Sequence, residues 1–495
     1  MRNYIKTINL LAFDLGASNG RAILGQFDGG RLTMRELHRF ENNYVEMNGI
    51  FYWDLPYLYS QLKQGLLAFK TGGYGDLDCC GIDTWGIDYG LLDKNGQLLG
   101  EPRSYRAAVD ADMERVWETV PYPTLFARTG IATINYNTVY QLYRRKLEGD
   151  AGIENARTML LMPDLLGYFL TGEKKSEYTN VTTTMLFDPI ARDWDWKTIT
   201  ELGLPQKIFT PIDCAGTLRG RLKEDLCEEL GLNRAAFAAV GTHDTASAVA
   251  AVPGAGSFAF CSSGTWSLFG VEVEKPLLTA EMRDYNFSNE GTIQRGFRPL
   301  KNIMGLWLIQ ECRREWNRQG TKCSWDDIVA QARRVTPFRS VIDTDCKDFF
   351  AGGDMVRKIQ NYCRSTGQPI PVSVGEIARC IYESLALKYR WTLSCLEKIK
   401  GQRIDTLNIV GGGIQNRLLN QMTADSIDRT VVSGPVEGAA IGNLLAQAMA
   451  LGAVKDIDDL RRIVKNSITV TEYKPDHTAQ WDKAYDLLLK LISKQ

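Results

Sequence analysis

The chain has no excess of charge of either sign, because 58 Lys and Arg stand against 59 Asp and Glu among 495 residues. This balance provides neither a polybasic surface for nucleic acid nor a basic tail for anionic membranes. No apolar run approaches the roughly 20 residues of a membrane-spanning helix, and the first apolar stretch breaks at Asp14, unlike a signal peptide. These absences predict a cytoplasmic protein whose partners are small molecules, with no obligate protein partner indicated.

Histidine is scarce and cysteine is dispersed. The three histidines form no His-Glu-x-x-His motif, which excludes the common zinc hydrolases. The 11 cysteines include no Cys-x-x-Cys pair and predict reduced thiols rather than a disulfide scaffold. Cys363 and Cys380 flank a proline-containing turn and could meet in space, although most such cysteines are small core residues. The sequence leaves a disulfide between them open.

The two commonest nucleotide-binding motifs are also missing. Nothing matches Gly-x-x-x-x-Gly-Lys-Ser/Thr, and the nearest run, residues 167–174, places Glu173 where the lysine should be. No Gly-x-Gly-x-x-Gly follows a predicted strand, which argues against a dinucleotide enzyme. If the protein binds a nucleotide, it must do so with another phosphate-binding device.

The order of predicted elements occurs twice along the chain. Apolar and alternating patterns predict a three-stranded meander, a helix and a further strand in the first ninety residues. The first set lies at residues 8–14, 21–27, 31–40, 54–70 (the helix) and 79–83. A similar set lies at residues 257–262, 266–273, 292–299, 302–316 (a helix), 374–399 (a long helix) and 407–410.

An internal duplication with a period near 250 residues explains this repetition. It predicts two similar α/β domains, residues 1–250 and 251–495, with a ligand-binding cleft between them. An amphipathic helix at residues 476–494 is expected to end the second domain.

Small polar turns join the first two strands of each half, at residues 14–21 and 262–265. Glycines in such turns let backbone N–H groups approach a phosphate, and Ser and Thr add hydroxyl donors. Each turn alone is explained equally well as a tight hairpin. Their equivalent positions, together with Asp14 at the end of a buried strand, favour two phosphate-binding loops.

Two further features fit a bound nucleotide and its metal. Asp14 ends an apolar strand, where a carboxylate needs a nearby cation such as Mg²⁺, or acts as a turn cap. The triple glycine at residues 411–413 offers bare backbone on which an adenine or ribose could lie, or forms a plain turn.

Asp244 is the best candidate for a catalytic carboxylate. It follows a predicted strand at the start of a small-residue helix, where the helix N-terminus should favour its ionised form. Phosphoryl transfer needs a carboxylate to accept the proton of the attacking hydroxyl. The competing interpretation is a helix N-cap, a role that Asp commonly fills. The adjacent His243 could equally be a hydrogen-bonding core residue.

The stretch GIDTWGID at residues 81–88 ends another buried strand with two carboxylates, an aromatic ring and a glycine. Such a set often lines a polyol pocket. Asp83 could equally cap the next element, and Trp85 could belong to the core.

Ten stretches in order resemble the FGGY family of carbohydrate kinases between about Ala12 and Pro435. They are DLGASNGR, GIDTWGID, LLMPDLLGYFLTG, EYTNVTTTMLFD, HDTASAV, SSGTWSLFG, NEG, LKNIMGLWLIQE, IARCIYESLALKY and VGGGIQN. Within the family, HDTASAV, SSGTWSL and LKNIMGLW are typical of the branch that acts on L-rhamnulose.

The resemblance implies an α/β fold of two duplicated actin-like (ribonuclease H-like) domains, each with a mixed five-stranded sheet flanked by helices, around a cleft. It implies transfer of the ATP γ-phosphate to the 1-hydroxyl of L-rhamnulose, in L-rhamnose catabolism, with Mg²⁺. It also implies that domain closure excludes water from the reaction.

By the same resemblance Asp244 is the general base, and Asp14 lies near the metal, through water. The implied sugar-site residues are Gly86, His243, Asp244, Thr245 and Asn302. The implied ATP-site residues are Ala17, Ser18, Asn19, Gly20 and Arg21 in the first phosphate loop, Thr265 in the second, Gln310, and Gly412 in the adenosine turn.

Departures from the family pattern are small. Asn19 and Thr242 stand where Ser is usual, and the Arg-Glu pair of glycerol kinases is not seen at residues 83–86.

A related deoxysugar kinase, such as an L-fuculose kinase, remains an alternative, since a single hydrogen bond in the pocket can decide which configuration of a sugar hydroxyl is bound. An actin- or Hsp70-like nucleotide-gated binding protein is the alternative from another class. A catalytically inactive relative is disfavoured, because every expected catalytic position is filled.

Overall fold

The computed structural model describes residues 7–254 and 256–493. The chain forms two compact units, each built from separate segments. Unit 1 comprises Met1–Ala251, Glu272–Pro299 and Gly438–Ile468, and unit 2 comprises Val252–Val271, Leu300–Glu437 and Thr469–Gln495. Two stretches from beyond residue 250 therefore belong to unit 1, so the units differ from a division of the chain at residue 250.

The strands, in chain order, are β1 (Ile8–Leu15), β2 (Asn19–Phe27), β3 (Leu32–Glu41), β4 (Tyr44–Met47), β5 (Ile50–Trp53), β6 (Cys79–Thr84), β7 (Tyr89–Leu92), β8 (Thr158–Leu161), β9 (Ser176–Glu177), β10 (Phe187–Asp188), β11 (Asp193–Trp194), β12 (Ile212–Asp213), β13 (Thr217–Arg221), β14 (Ala236–Ala239), β15 (Phe258–Ser263), β16 (Trp266–Val271), β17 (Ser288–Gly291), β18 (Phe297–Met304), β19 (Thr406–Val410), β20 (Thr430–Ser433) and β21 (Thr471–Tyr473).

The α-helices, in chain order, are α1 (Leu55–Thr71), α2 (Ala111–Thr119), α3 (Tyr122–Thr129), α4 (Thr138–Leu147), α5 (Ala151–Asn155), α6 (Met162–Thr171), α7 (Tyr178–Val181), α8 (Trp196–Glu201), α9 (Glu224–Leu230), α10 (Asp244–Ala250), α11 (Ala280–Asp284), α12 (Trp307–Arg318), α13 (Trp325–Arg333), α14 (Met355–Ser365), α15 (Val374–Lys400), α16 (Arg417–Ile427), α17 (Gly438–Ala450), α18 (Ile457–Ser467) and α19 (Trp481–Ile492).

A mixed sheet forms the centre of unit 1, with the strand order β13-β14-β6-β1-β2-β3. The strand β1 is antiparallel to β2 and parallel to β6, and β14 is parallel to β6. The helices α1 and α6 pack in one buried apolar cluster with residues of β1 and β6, and α17 packs in another. Because both faces of its central strands are covered, the sheet is apolar on both sides.

Unit 2 repeats this arrangement. Its strands belong to a seven-stranded sheet with the order β17-β18-β16-β15-β19-β20-β21, in which β15 is antiparallel to β16 and parallel to β19, and β19 is parallel to β20. The five strands β3-β2-β1-β6-β14 of unit 1 thus have the same order and directions as β18-β16-β15-β19-β20. The predicted duplication of a mixed five-stranded sheet is confirmed, and β13 and β21 each add an antiparallel strand at the same edge.

Most predicted elements lie within a few residues of their observed positions. The helix α1 begins after Asp54, whose carboxylate accepts a hydrogen bond from the N–H of Tyr57, so the predicted cap is confirmed. The helix predicted at residues 476–494 is α19, which begins only at Trp481, while Lys494 lies outside the described residues.

The predictions at residues 292–299 and 302–316 are wrong in position. The third strand of unit 2 is β18, which includes Asn302 and Ile303, and the helix α12 starts at Trp307. The apolar residues here fit the periodicity of a helix as well as that of a strand, so the sequence pattern does not decide between the two. Pairing with β16 decides for a strand, since Leu268 of β16 lies opposite Asn302 in the ladder.

Cys363 and Cys380 are both buried and free, and their side chains are hydrogen-bonded to each other. The contact that the sequence left open therefore exists without a disulfide. Among the described helices, none is both long and apolar enough to cross a membrane.

Candidate functional site

The turn between β1 and β2 carries the first predicted phosphate loop. The N–H of Gly16 donates to the carbonyl of Asn19 at 2.9 Å, which closes the turn and leaves Ser18 and Asn19 exposed at its tip. Asn42 supports the loop from outside, because its side-chain amide donates to the carbonyl of Gly16 at 2.8 Å. The turn is held in shape while its polar tip stays accessible.

Asp14 and Arg21 are directly opposite each other at the base of this turn. The Arg21 guanidinium donates to Oδ2 of Asp14 at 2.6 Å, and both side chains are largely buried. The buried Asp14 therefore has the cationic neighbour that its position in an apolar strand demands.

Asp83 lies beside Asp14 on the neighbouring parallel strand β6. Burial, and then the Asp14 carboxylate, raise the pKa of Asp83 well above its usual range, and Asp244 acts in the same direction. The side-chain amide of Asn443 in α17 donates to Oδ2 of Asp83 at 2.5 Å. Two other carboxyl groups thus act on Asp83 at this end of the sheet of unit 1, and Asp83 itself is bound by Asn443 and does not cap the following element.

Asp244 is the first residue of α10, directly after its N-cap His243. Its Oδ1 accepts from the N–H of Thr245 at 2.6 Å and from the Thr245 hydroxyl at 3.1 Å. The side chain is 33 % exposed and does not accept the N-cap hydrogen bond, so the competing cap interpretation is wrong.

Burial raises the pKa of Asp244, whereas the charge of His243 and the hydrogen bonds from Thr245 lower it only in part. The start of the helix is expected to favour the ionised form of Asp244, but burial, which favours the protonated form, has the larger effect on its pKa. A partly exposed carboxylate with a raised pKa is a suitable proton acceptor for a hydroxyl.

His243 connects Asp244 to a buried ion pair. Its Nε2 lies 3.6 Å from Oδ1 of Asp244, and its Nδ1 lies 3.2 Å from Oε2 of Glu290. The fully buried Arg298 donates to the same Glu290 oxygen at 3.2 Å. All four residues belong to unit 1.

Glu177 fixes the backbone just before this pair. Its Oε2 accepts hydrogen bonds from the N–H and hydroxyl groups of both Thr179 and Thr242. The hydroxyl of Thr179 in turn accepts from the N–H of His243 at 3.2 Å. Ser is usual at position 242 in the family pattern. The hydroxyl of Thr242 makes an internal hydrogen bond, which it donates to Glu177.

The remaining residues of the GIDTWGID stretch are mostly structural. Oδ2 of Asp88 accepts from the indole N–H groups of Trp53 and Trp85 at 2.6 and 3.0 Å. The two indole rings pack against each other with centroids 4.3 Å apart, so Trp85 is a core residue. Gly86 is partly exposed, and a Cβ there would lie 3.0 Å from the hydroxyl of Thr183.

Unit 2 brings together the second phosphate turn and Gln310. The hydroxyl of Thr265 donates to the side-chain carbonyl of Gln310 in α12 at 3.2 Å. The backbone of the turn is tied to the start of α12, because the N–H groups of Leu306 and Trp307 donate to the carbonyls of Gly264 and Thr265. Thr265 itself is exposed.

The triple-glycine turn packs against the same turn. A Cβ at Gly411 would lie 3.0 Å from the carbonyl oxygen of Ser263, and one at Gly413 would lie 2.0 Å from the Ser263 hydroxyl. Gly411 also has a φ of 85°, which side chains disfavour. Gly412, by contrast, is exposed and has open space beside it, as a surface for a flat ring requires.

The structure thus groups the predicted residues in two sets. Unit 1 holds the first phosphate loop with Gly86, His243, Asp244 and Thr245, and unit 2 holds Thr265, Gln310 and Gly412. Asn302, predicted for the sugar site, lies in unit 2 on β18 rather than in a helix.

The part of the chain that the structure describes does not by itself form a cage for a metal ion. Within residues 7–254 and 256–493, no three His, Cys, Asp or Glu side chains are grouped so that they could hold one. Asp14 also shares one oxygen with Arg21. The carboxylate of Asp14, at the base of the first phosphate turn, is a hard oxygen ligand of the kind with which Mg²⁺ binds when waters and the phosphates of a substrate supply the rest.

Sequence reasoning missed Glu177, Glu290, Arg298 and Asn443. Glu290 lies in the stretch NEG at residues 289–291, which carries only the family resemblance. Arg298 lies in an apolar strand, where a buried charge indicates an ion pair. Asn443 gives no local signal, because its contact with Asp83 spans 360 positions.

Comparison with known families adds independent information. Residues 9–251 match the N-terminal domain, and residues 259–451 the C-terminal domain, of the FGGY family of carbohydrate kinases. The chain is 41 % identical over 480 residues to the rhamnulokinase of Bacteroides thetaiotaomicron, covering 96 % of this chain and 98 % of that protein. It is 37 % identical over 488 residues to the rhamnulokinase of Bacillus subtilis, covering 98 % and 99 %.

Solved structures share the fold. The xylulose kinase of Rhodospirillum rubrum matches with a TM-score of 0.81 at 16 % identity, covering 98 % of both chains. The glycerol kinase of Plasmodium falciparum, solved with ADP, matches with a TM-score of 0.75 at 14 % identity, covering 99 % of this chain and 97 % of that one. The duplicated sheets, the family models and the relatives agree, and this chain belongs to the FGGY family of carbohydrate kinases.

Proposed function

We propose that this protein transfers the γ-phosphate of ATP to the 1-hydroxyl of L-rhamnulose, giving L-rhamnulose 1-phosphate in L-rhamnose catabolism. The observation that carries the proposal is the group of relatives named rhamnulokinase, which are 36–41 % identical over almost the whole chain. The geometry around Asp244 is consistent with this reaction. The free state of all eleven cysteines supports work in the reducing cytoplasm.

Asp244 is the proposed general base. Its carboxylate is partly exposed, and Thr245 holds it in place through two hydrogen bonds to Oδ1, so Oδ2 can accept the proton of the sugar hydroxyl. Burial keeps its pKa raised, which strengthens the ionised form as a base. His243, Thr245, Gly86 and Asn302 are the proposed sugar contacts.

ATP is the proposed phosphate donor, with residues 17–21 and Thr265 at its phosphates. Gln310 and Gly412 are proposed for the nucleotide end. When bound, Mg²⁺ would neutralise charge on the phosphates, and Asp14 would hold it through water. Arg21 keeps the Asp14 carboxylate in place by their hydrogen bond.

Sugar-dependent ADP release tests the proposal. Purified protein with Mg-ATP is assayed against L-rhamnulose, L-fuculose, L-xylulose, D-xylulose and glycerol at equal concentrations. We expect the highest kcat/KM with L-rhamnulose. A higher kcat/KM with L-fuculose would mean that the proposed substrate is wrong and the proposed kinase activity is right. ADP release that does not depend on any of the sugars would favour a nucleotide-gated binding protein.

A further inference from the structure

We propose that Glu290 is a positioning residue for phosphoryl transfer, acting through His243. Its carboxylate accepts the Nδ1 proton of His243 and so holds the ring with Nε2 toward Asp244. The inference rests on the proposed function, because it concerns how the sugar site around Asp244 is kept in order.

The contacts form a chain from a buried charge to the proposed base. Glu290 Oε2 lies 3.2 Å from Nδ1 of His243, and Nε2 of the same ring lies 3.6 Å from Asp244 Oδ1. The exposed fraction falls along the chain, from 33 % at Asp244 to 10 % at His243 and 8 % at Glu290. A carboxylate behind a histidine commonly fixes which ring nitrogen carries the proton.

Arg298 fixes Glu290 from the other side. Its Nη2 donates to Glu290 Oε2 at 3.2 Å, and its Nε donates to the carbonyl of Gly291 at 2.7 Å. Although burial raises the pKa of Glu290, the hydrogen bond and charge of His243 and the charge of Arg298 leave it below the usual value. An ionised Glu290 can therefore accept from both neighbours.

Arg298 also makes the protonation pattern of His243 dependent on Glu290. Its Nη2 lies 3.3 Å from Nδ1 of the ring, and a guanidinium can only donate. With Glu290 present, the carboxylate is the acceptor for both groups. Without it, Arg298 would donate to Nδ1, and the proton would move to Nε2, which faces Asp244.

Two substitutions separate positioning from general stability. Glu290→Gln keeps an oxygen that can accept the Nδ1 proton, whereas Glu290→Ala removes it. The matched control is Asp150→Ala, since Asp150 is a similarly buried carboxylate in unit 1, paired with Arg145 at 2.9 Å and with Arg103 at 2.7 Å.

Steady-state kinetics give the first measurement. We expect Glu290→Ala to lower kcat/KM for the sugar about 10- to 100-fold, as loss of an orienting partner does elsewhere, with the KM for ATP unchanged. Glu290→Gln should recover most of this loss. Asp150→Ala should keep wild-type kinetics even if its melting temperature falls as much.

Nitrogen-15 NMR of the full chain, labelled at histidine, gives the second measurement. The protein has 3 histidines, so His243 can be assigned by comparison with a His243→Gln variant. We expect a protonated Nδ1 in the wild type and in Glu290→Gln, and a shift of the proton to Nε2 in Glu290→Ala.

An unchanged ring signal in Glu290→Ala would overturn the inference, as would kinetic losses that merely follow melting temperature across all variants. The NMR result does not depend on which sugar is phosphorylated. If the wild type prefers another ketose, the proposed substrate is wrong, and the kinetic comparison is made with that ketose instead.

Discussion

Gly442 lies where α17 packs closely against α10, the helix that begins with Asp244. A Cβ at this position would lie 1.9 Å from the carbonyl oxygen of Ser247 and 2.5 Å from its carbonyl carbon. Because atoms in ordinary contact are about 3.5 Å apart, Gly442→Ala would force the two helices apart by roughly 1.5 Å. The strain falls on backbone atoms, which no side-chain rotation can relieve.

We expect two consequences of Gly442→Ala. Overpacking should lower the free energy of unfolding by about 1–3 kcal/mol. Displacement of α10 should move Asp244 by roughly 1 Å, and such a shift costs about 100-fold in kcat. The assays are urea unfolding followed by tryptophan fluorescence, and ADP release with saturating Mg-ATP and sugar.

Gly438→Ala is the matched control on the same helix. Its Cβ would lie 3.4 Å from Ala248, which is an ordinary contact, so stability and kcat should stay close to wild type. Gly442→Ala with wild-type stability and kcat would refute the proposed role of this close approach in placing Asp244.

Further predictions concern the base and a buried ion cluster. Asp244→Asn should lower kcat by about 10²- to 10⁴-fold with ADP affinity unchanged in titration calorimetry, and near-normal turnover would contradict its role as base. Because burial raises the pKa of Asp244 and the base must be ionised, kcat/KM should fall with decreasing pH at values above 3.8, the ordinary value; a flat profile down to that pH would contradict this. Lys388 is buried between Asp343 at 2.7 Å and Asp345 at 2.9 Å. Lys388→Met should lower the free energy of unfolding by about 3–5 kcal/mol in urea, while Lys455→Met, at an 87 % exposed side chain, should change it by less than about 0.5 kcal/mol. Equal effects of the two lysine substitutions would contradict the buried ion cluster.

Much of the fold could be predicted because its signals are local. An apolar run, an alternating pattern and the Asp54 cap place β1, β2 and α1, respectively, within a few residues, and the long α15 has a capping box at Ser373. The segment at residues 297–307 could not be placed, because its conformation depends on pairing with β16. The assignment of α17 to unit 1 also depends on distant contacts, since α17 follows unit 2 segments in the chain.

The candidate site could be predicted from the sequence only where its residues lie in turns with a distinctive sequence. Asp244, the β1–β2 turn and the glycines at 411–413 stand out because each places small or polar residues directly after an apolar strand, and because the two halves of the chain repeat the pattern. The supporting residues do not, since Glu290 and Arg298 reach His243 from positions about 50 residues away. A single sequence reveals which residues are chemically suited to react, whereas the structure reveals what holds them.

The most direct test of the central claim is the identity of the product. After incubation with Mg-ATP and L-rhamnulose, a phosphorus–proton correlation NMR spectrum shows which carbon carries the phosphate. We predict one new phosphate ester coupled to the C1 methylene protons, formed in step with ADP and strongly reduced in Asp244→Asn. An ester at another carbon, or ADP formed without any sugar ester, would contradict the proposed transfer to the 1-hydroxyl.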